Sequence, residues 1–135
     1  MRWSKLRVLI KDLFDPNLDL DVLCTAHRGE NGLQIGRYWF KLDGQEIWSQ
    51  PQNVSELIKA GKADKVASFI TPILRQYLDT PKDKIFDLKI DADIWGVVEM
   101  LRACDRRIGK RRLEDLLKKT ANPAARFVIE RRLLL

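Results

Sequence analysis

The chain predicts an α+β domain: an antiparallel sheet of three to four strands, with a meander or hairpin near the N-terminus, covered by helices and followed by a helical C-terminal third. Three observations lead there. Leu18, Leu20, Val22, Cys24 and Ala26 alternate with Asp19, Asp21, Leu23, Thr25 and His27, the period of a half-buried strand. Asp43-Gly44 sits between two apolar-rich runs, as a tight hairpin turn does. Beyond Ile94 the apolar residues recur at helical spacing to the end of the chain. A length of 135 residues with 45% hydrophobic content suits one domain, residues 1–135, built on a single core.

Taken in order, WSKLRVLIKDLFDP places Ser4 as an N-cap ahead of Leu6, Leu9, Ile10 and Leu13, with Pro16 closing a short helix. A strand presenting Leu6, Val8 and Ile10 is the competing reading. LDLDVLCTAH is the first strand, and RGENG turns the chain, its glycines free to take positive φ. The second strand covers about Leu33–Leu42 and the third Gln45–Ser49. A two-residue turn sets Leu42 opposite Gln45, Lys41 opposite Glu46, Phe40 opposite Ile47 and Trp39 opposite Trp48. That register makes an apolar face of Tyr38, Phe40, Leu42 and Ile47, and a second face with a Lys41–Glu46 ion pair beside two facing tryptophans. A three-residue loop with a glycine bulge would instead bring Trp48 against Tyr38.

PQNVSELIKAG reads as a short helix stopped by Gly61, ADKVASFI as another, and TPILRQYLDTP as a third with Thr71 capping and Pro72 in the first turn. KIFDLKID alternates as a fourth strand. Ile94, Val97, Val98, Leu101, Cys104 and Ile108 form a helical stripe that starts after Asp91 or Asp93 and ends at Gly109. Leu113, Leu116 and Leu117 form a second stripe, and Asn122-Pro123 opens a last helix through Phe127 and Ile129.

The net charge of +6 is unevenly placed. Beyond Met100 the cations far outnumber Asp105, Glu114, Asp115 and Glu130, while the remainder of the chain is close to neutral. An anionic partner would therefore meet the C-terminal quarter. Arg102, Arg106, Arg107, Lys110, Arg111 and Arg112 straddle a helix junction and are the candidates for contacting phosphates, with three helices in helix-turn-helix outline. An ordinary role competes: Glu114–Lys118 and Asp115–Lys119 are favourable i,i+4 pairs, and Arg106 and Arg107 suit a helix C-terminus.

Catalytic and metal chemistries find little support. DPNLDLD opens like a calcium loop, but Leu20 replaces its glycine and Ala26 its glutamate. Cys24 and His27 would point to opposite faces of a strand, leaving Cys104 as a lone further soft ligand. His27 is the single histidine, no serine sits in a GxSxG context, and AGKADK lacks the pattern of a phosphate loop. No catalytic residue, metal site or cofactor is expected. Two cysteines far apart in sequence read as reduced thiols without a disulfide. With neither a signal-peptide pattern nor an apolar run of membrane-spanning length, a cytoplasmic protein without membrane contact is expected.

The runs WSKLRVLIKDLFDPNLDLDV, RYW and DRRIGKRRLEDL resemble those of a group of small bacterial α+β proteins, some carried on mobile integron gene cassettes, to which no activity is assigned. The resemblance covers most of the chain. It implies a bacterial cytosolic single domain and brings no catalytic residue. The leading expectation is a non-enzymatic module acting through a protein partner or as a homodimer. If the N-terminal helix or a loop covers the hairpin's second face, Trp39 and Trp48 are ordinary core, the favoured reading of the pair; if it is uncovered they form, flanked by Arg37 and Lys41, the preferred contact surface. The terminal RRLLL would dock onto this chain or a partner. The alternative is a nucleic-acid-binding protein using the basic C-terminal helices.

Overall fold

A computed structural model describes residues 3–28, 34–50 and 63–135. The N-terminal helix forms as α1, Trp3–Asp12, and buries Leu6 and Ile10, four residues apart on one face. It begins one residue ahead of Ser4, so that serine lies in the first turn. Leu9, placed on the apolar stripe by spacing, is partly exposed. The three strands β1 (Leu20–Arg28), β2 (Gln34–Leu42) and β3 (Gln45–Gln50) make one antiparallel sheet in the order β1-β2-β3.

Asp43 and Gly44 both carry positive φ, 53° and 79°, the signature of the tight two-residue turn. Leu42 pairs Gln45 and Lys41 pairs Glu46 as expected, but a bulge between Phe40 and Lys41 then shifts the register. Phe40 faces Trp48 and Trp39 faces Ser49, so the two tryptophans are not cross-strand neighbours. Ile47 is the additional residue on β3, and it swings Trp48 to the inner face beside Tyr38, Phe40 and Leu42, where all four are buried. Glu46 pairs with Arg37 instead of Lys41.

The second and third expected C-terminal-side helices, in ADKVASFI and TPILRQYLDTP, are one helix, α2, Ala63–Asp79, which runs through Pro72. Proline in a helix interior costs about 3 kcal/mol. Ile70, Ile73, Leu74 and Tyr77 lie on one continuous face across it and are all essentially inaccessible, and burying such side chains returns roughly 1.5–3 kcal/mol each. Tertiary packing therefore carries the helix past its breaker. The helix expected in PQNVSELIKAG and the turn at RGENG lie outside the described residues, apart from Arg28 at the end of β1.

The fourth strand does not form. After a 3-10 turn at Lys82–Lys84 the segment runs irregularly to Gly96. Its alternation still sets Phe86, Leu88 and Ile90 partly into the core. What a neighbouring strand would have supplied comes from a side chain: Arg102 Nη1 donates to the carbonyls of Phe86 (3.2 Å) and Leu88 (2.6 Å), with a longer contact to Ile85.

Helix α3, Val97–Cys104, is capped from outside by Asp93, whose carboxylate accepts from Val97 N (2.9 Å) and Val98 N (2.8 Å). Ile94 and Ile108, expected on its stripe, fall before and after it: Ile94 is 79% exposed, while Ile108 is buried in the following turn. Helix α4, Lys110–Lys119, buries Leu113 and Leu116. Helix α5, Pro123–Leu133, starts at Pro123 with the Asn122 side chain accepting from Ala124 N and Ala125 N, as the sequence predicts. The inner sheet face packs on α1 and α2, α2 packs on α3, and α5 lies against both α3 and α4. A short bridge closes the structure: Phe14 pairs with Asp105, with Asp15 N donating to Cys104 O and Arg106 N to Leu13 O. Among the described residues there are five α-helices, none long and apolar enough to cross a membrane.

Candidate functional site

The bulge that turns Trp48 inward also shapes a groove. Beyond β3 the irregular segment makes a tight turn, with Asp93 N donating to Ile90 O and Ile94 N to Ala92 O, and this turn holds Ile94 outward. Gly96 closes it at φ +79°, a conformation that costs an ordinary residue about 1–2 kcal/mol. A groove of about 530 Å³ results, with Ile47, Trp48 and Gln50 on one side, Ile94, Trp95 and Gly96 on the second and Ala121 to Ala124 on the third. Among the described residues no charged side chain lines it. Trp48 forms its inner wall, packed edge to face on Phe40 at 5.4 Å between ring centres. Glu99 supports the far wall, its carboxylate accepting from Asn122 N at 2.9 Å.

The aromatic surface expected at the hairpin is thus divided between two faces. Trp48 belongs to the core and the groove. Trp39 is half-buried on the outer sheet face, its ring covered by the Arg37 guanidinium at 4.7 Å, with half-buried Lys41 beside it. Sequence spacing missed Ile94 as a surface residue because it read it into the following helix. The Asp93-x-x-Gly96 spacing, a capping acid before a glycine, was the available signal that the helix starts later.

The basic candidates also separate. Arg102 is buried and serves the carbonyls already described, with its Nε lacking a partner; burial pulls its pKa down despite neighbouring acids and the Tyr77 phenol. Arg107 grips the fully buried Asp105 (2.8 Å), which also accepts the Tyr77 hydroxyl at 2.5 Å. Burial, then the adjacent carboxylate, pushes the Tyr77 phenol far above its usual range. Arg132, not among the candidates, is the most deeply engaged cation: Nε donates to Asp15 (2.9 Å), Nη1 to Ala103 O (2.9 Å) and Nη2 to Ile108 O (2.8 Å). Burial raises the Asp15 pKa, but the Asn17 amide and Arg132 outweigh it and hold the carboxyl below its ordinary value.

Arg106, Lys110, Arg111 and Arg112 remain exposed. Arg112 lies over the Phe86 ring at 4.5 Å, and Lys119 reaches Asp87 at 3.1 Å instead of pairing locally with Asp115. Helix α4 has no acid in its first turn and no side-chain cap, yet opens with Lys110, Arg111 and Arg112. Cations at that end oppose the helix dipole by about 0.3–1 kcal/mol each. Of RRLLL, Leu133 packs partly on the core while Leu134 is 83% exposed.

Cys24 and Cys104 are free thiols, and burial pushes Cys104 up to about 12. Among the described residues no three His, Cys, Asp or Glu side chains gather as a metal cage. No curated protein and no solved structure matches the chain. Residues 51–133, from the end of β3 through all of α5, match the family model described as the SF0329 protein family. That span carries α2 to α5, two walls of the groove and every exposed cation of the junction, and on it the chain belongs to the SF0329 protein family.

Proposed function

We propose that this protein is a non-enzymatic interaction module that binds a protein partner in the groove between β3, the Ile94–Gly96 turn and the start of α5. The observation that carries the reading is Ile94. A large aliphatic side chain stands 79% exposed at the mouth of a groove with tryptophan in its wall and no charge among its described lining residues, held there by a turn that uses a positive-φ glycine. Isolated exposed hydrophobes are common, but one continuous with a groove that mixes apolar and polar lining is an arrangement that contact surfaces use. The occupant that fits is a polypeptide segment with apolar side chains, since none of the described lining residues would orient a charged small molecule. The homodimer reading places a second copy of this chain in the same groove.

The test is site-specific photo-crosslinking from position 94 in cells, joined to velocity sedimentation of the purified protein. One crosslinked protein, or a second copy, should appear, and its purified form should bind wild type. Burying an isoleucine returns about 1.5–3 kcal/mol, so Ile94→Glu should weaken that binding at least about tenfold without lowering stability. A chain that stays monomeric at all concentrations and crosslinks to nothing from position 94 refutes the proposal.

A further inference from the structure

A second site lies at the other end of α5. A cleft of about 330 Å³ opens between the Asp15–Asn17 loop, the Ile108–Lys110 turn and the C-terminal end of α5, where Arg132 and Leu135 line it. The geometry points to this cleft as a binding site for a phosphate group, with Arg106 and Lys110 as the charged ligands.

The charges in the cleft do not cancel. Arg132 and Asp15 line it as a closed pair, each consumed by the other and by backbone groups. Arg106 and Lys110 are the cations left over. Arg106 spends Nε on the Asp12 carbonyl (2.8 Å) and holds the Asp12 carboxylate at 3.8 Å, a loose pair that leaves its side chain 49% exposed. Lys110 spends one of its three donors on the main-chain oxygen of Leu135, at 2.5 Å. That oxygen is an acceptor already seated at the ammonium, in the position a phosphate oxygen would take.

The backbone fixes where both cations stand. Arg106 N is bonded to Leu13 O in the bridge, and Lys110 begins α4 with the Gly109 carbonyl accepting from Leu113 N. The two charges therefore converge from rigid elements on one bounded space, and a phosphate is the anion whose several oxygens can accept from both together. Arg111, exposed on the same turn, extends the positive surface away from the cleft. The ligand chemistry is a phosphate, either a free phosphate or pyrophosphate or the backbone of a nucleic acid.

The experiment is isothermal titration of the full chain at low ionic strength with inorganic pyrophosphate, in parallel with anisotropy of labelled single- and double-stranded oligonucleotides. Arg106→Gln and Lys110→Gln are compared with Lys118→Gln, an exposed cation of α4 outside the cleft, and all are checked for folding by circular dichroism. Either cleft variant should weaken binding about tenfold, and Lys118→Gln should change it less than twofold. Oligonucleotide binding that pyrophosphate displaces identifies the polymer backbone as the source; pyrophosphate binding without oligonucleotide binding identifies the free anion. The inference is overturned if neither ligand binds at millimolar concentration, or if binding survives both cleft substitutions unchanged. Should one cleft variant fail to fold, the other alone gives the same reading.

Discussion

Replacing Arg132 by methionine isolates the buried ion pair with least change of shape. The guanidinium is only 4% exposed, and its donors serve Asp15, Ala103 O and Ile108 O. Methionine keeps the length and apolar stem, so the void is small and the loss is chiefly electrostatic. It leaves the Asp15 carboxylate, 12% exposed, without its cation, and two buried carbonyls without donors. Breaking a buried pair from one side costs about 3–5 kcal/mol. Against a total stability of about 5–15 kcal/mol for a domain, the variant should lose at least about a fifth of its margin. The assay is urea unfolding followed by tryptophan fluorescence, with the slope against denaturant required to match wild type.

Two further outcomes follow from the same geometry. Adding Asp15→Asn removes the stranded charge and should recover about 0.5–3 kcal/mol, the coupling of a contacting pair. The pH sign is fixed as well. Asp15 titrates below its ordinary value of 3.8 in the fold, so the pair's stability is fully present above about pH 4 and is lost as pH falls through the folded pKa. The gap between wild type and Asp15→Asn should therefore narrow below pH 4. An Arg132→Met cost below about 1 kcal/mol, or a gap that persists in acid, would refute the reasoning.

Gly96→Ala should cost about 1–3 kcal/mol, because the new Cβ meets Asn122 Nδ2 at 3.1 Å on top of the φ strain; Gly44→Ala, with nothing within 4 Å, should cost less. Paired urea titrations read the difference. Alkali should destabilise the fold through groups that burial holds protonated, among them Cys104 and Tyr38, each pushed up to about 12. Their contribution is complete below the ordinary values of 9.0 and 10.0 and is lost as pH rises to about 12. Unfolding midpoints measured from pH 8 to pH 12 should fall over that interval, and less steeply for Tyr38→Phe.

Local chemistry made much of the fold legible. The Asp43-Gly44 turn, the alternation in β1 and the Asn122-Pro123 helix start each encode their own geometry over a few residues, and each appears where its signal lies. The failures share a cause. The fourth strand, the break at Pro72 and the Trp39–Trp48 pair all depended on what distant elements supply: Arg102 in place of a strand, core packing across a helix breaker, and a bulge that admits Trp48 to the core. The candidate site suffered most. A run of arginines in sequence says nothing of which guanidiniums turn inward, and Arg102, Arg107 and Arg132 look from the sequence just like Arg106 and Arg111, which stay outside.

The bridge between Phe14 and Asp105 orders events in time. On a ribosome, the first fifteen residues emerge long before the residues that must pair with them, and Arg132 follows later still. The closing loop is long, but its entropic cost rises only slowly with length; the delay in synthesis is the stricter limit. Until residues 104–106 are released the Leu13–Asp15 strip has no partner, and until α5 follows Asp15 lacks the guanidinium that neutralises it, so a chain stalled in that interval would present an incompletely paired segment to chaperones and proteases. The same dependence applies to any fragment limited to residues 51–133, which would bury Arg132 without the carboxylate that neutralises it.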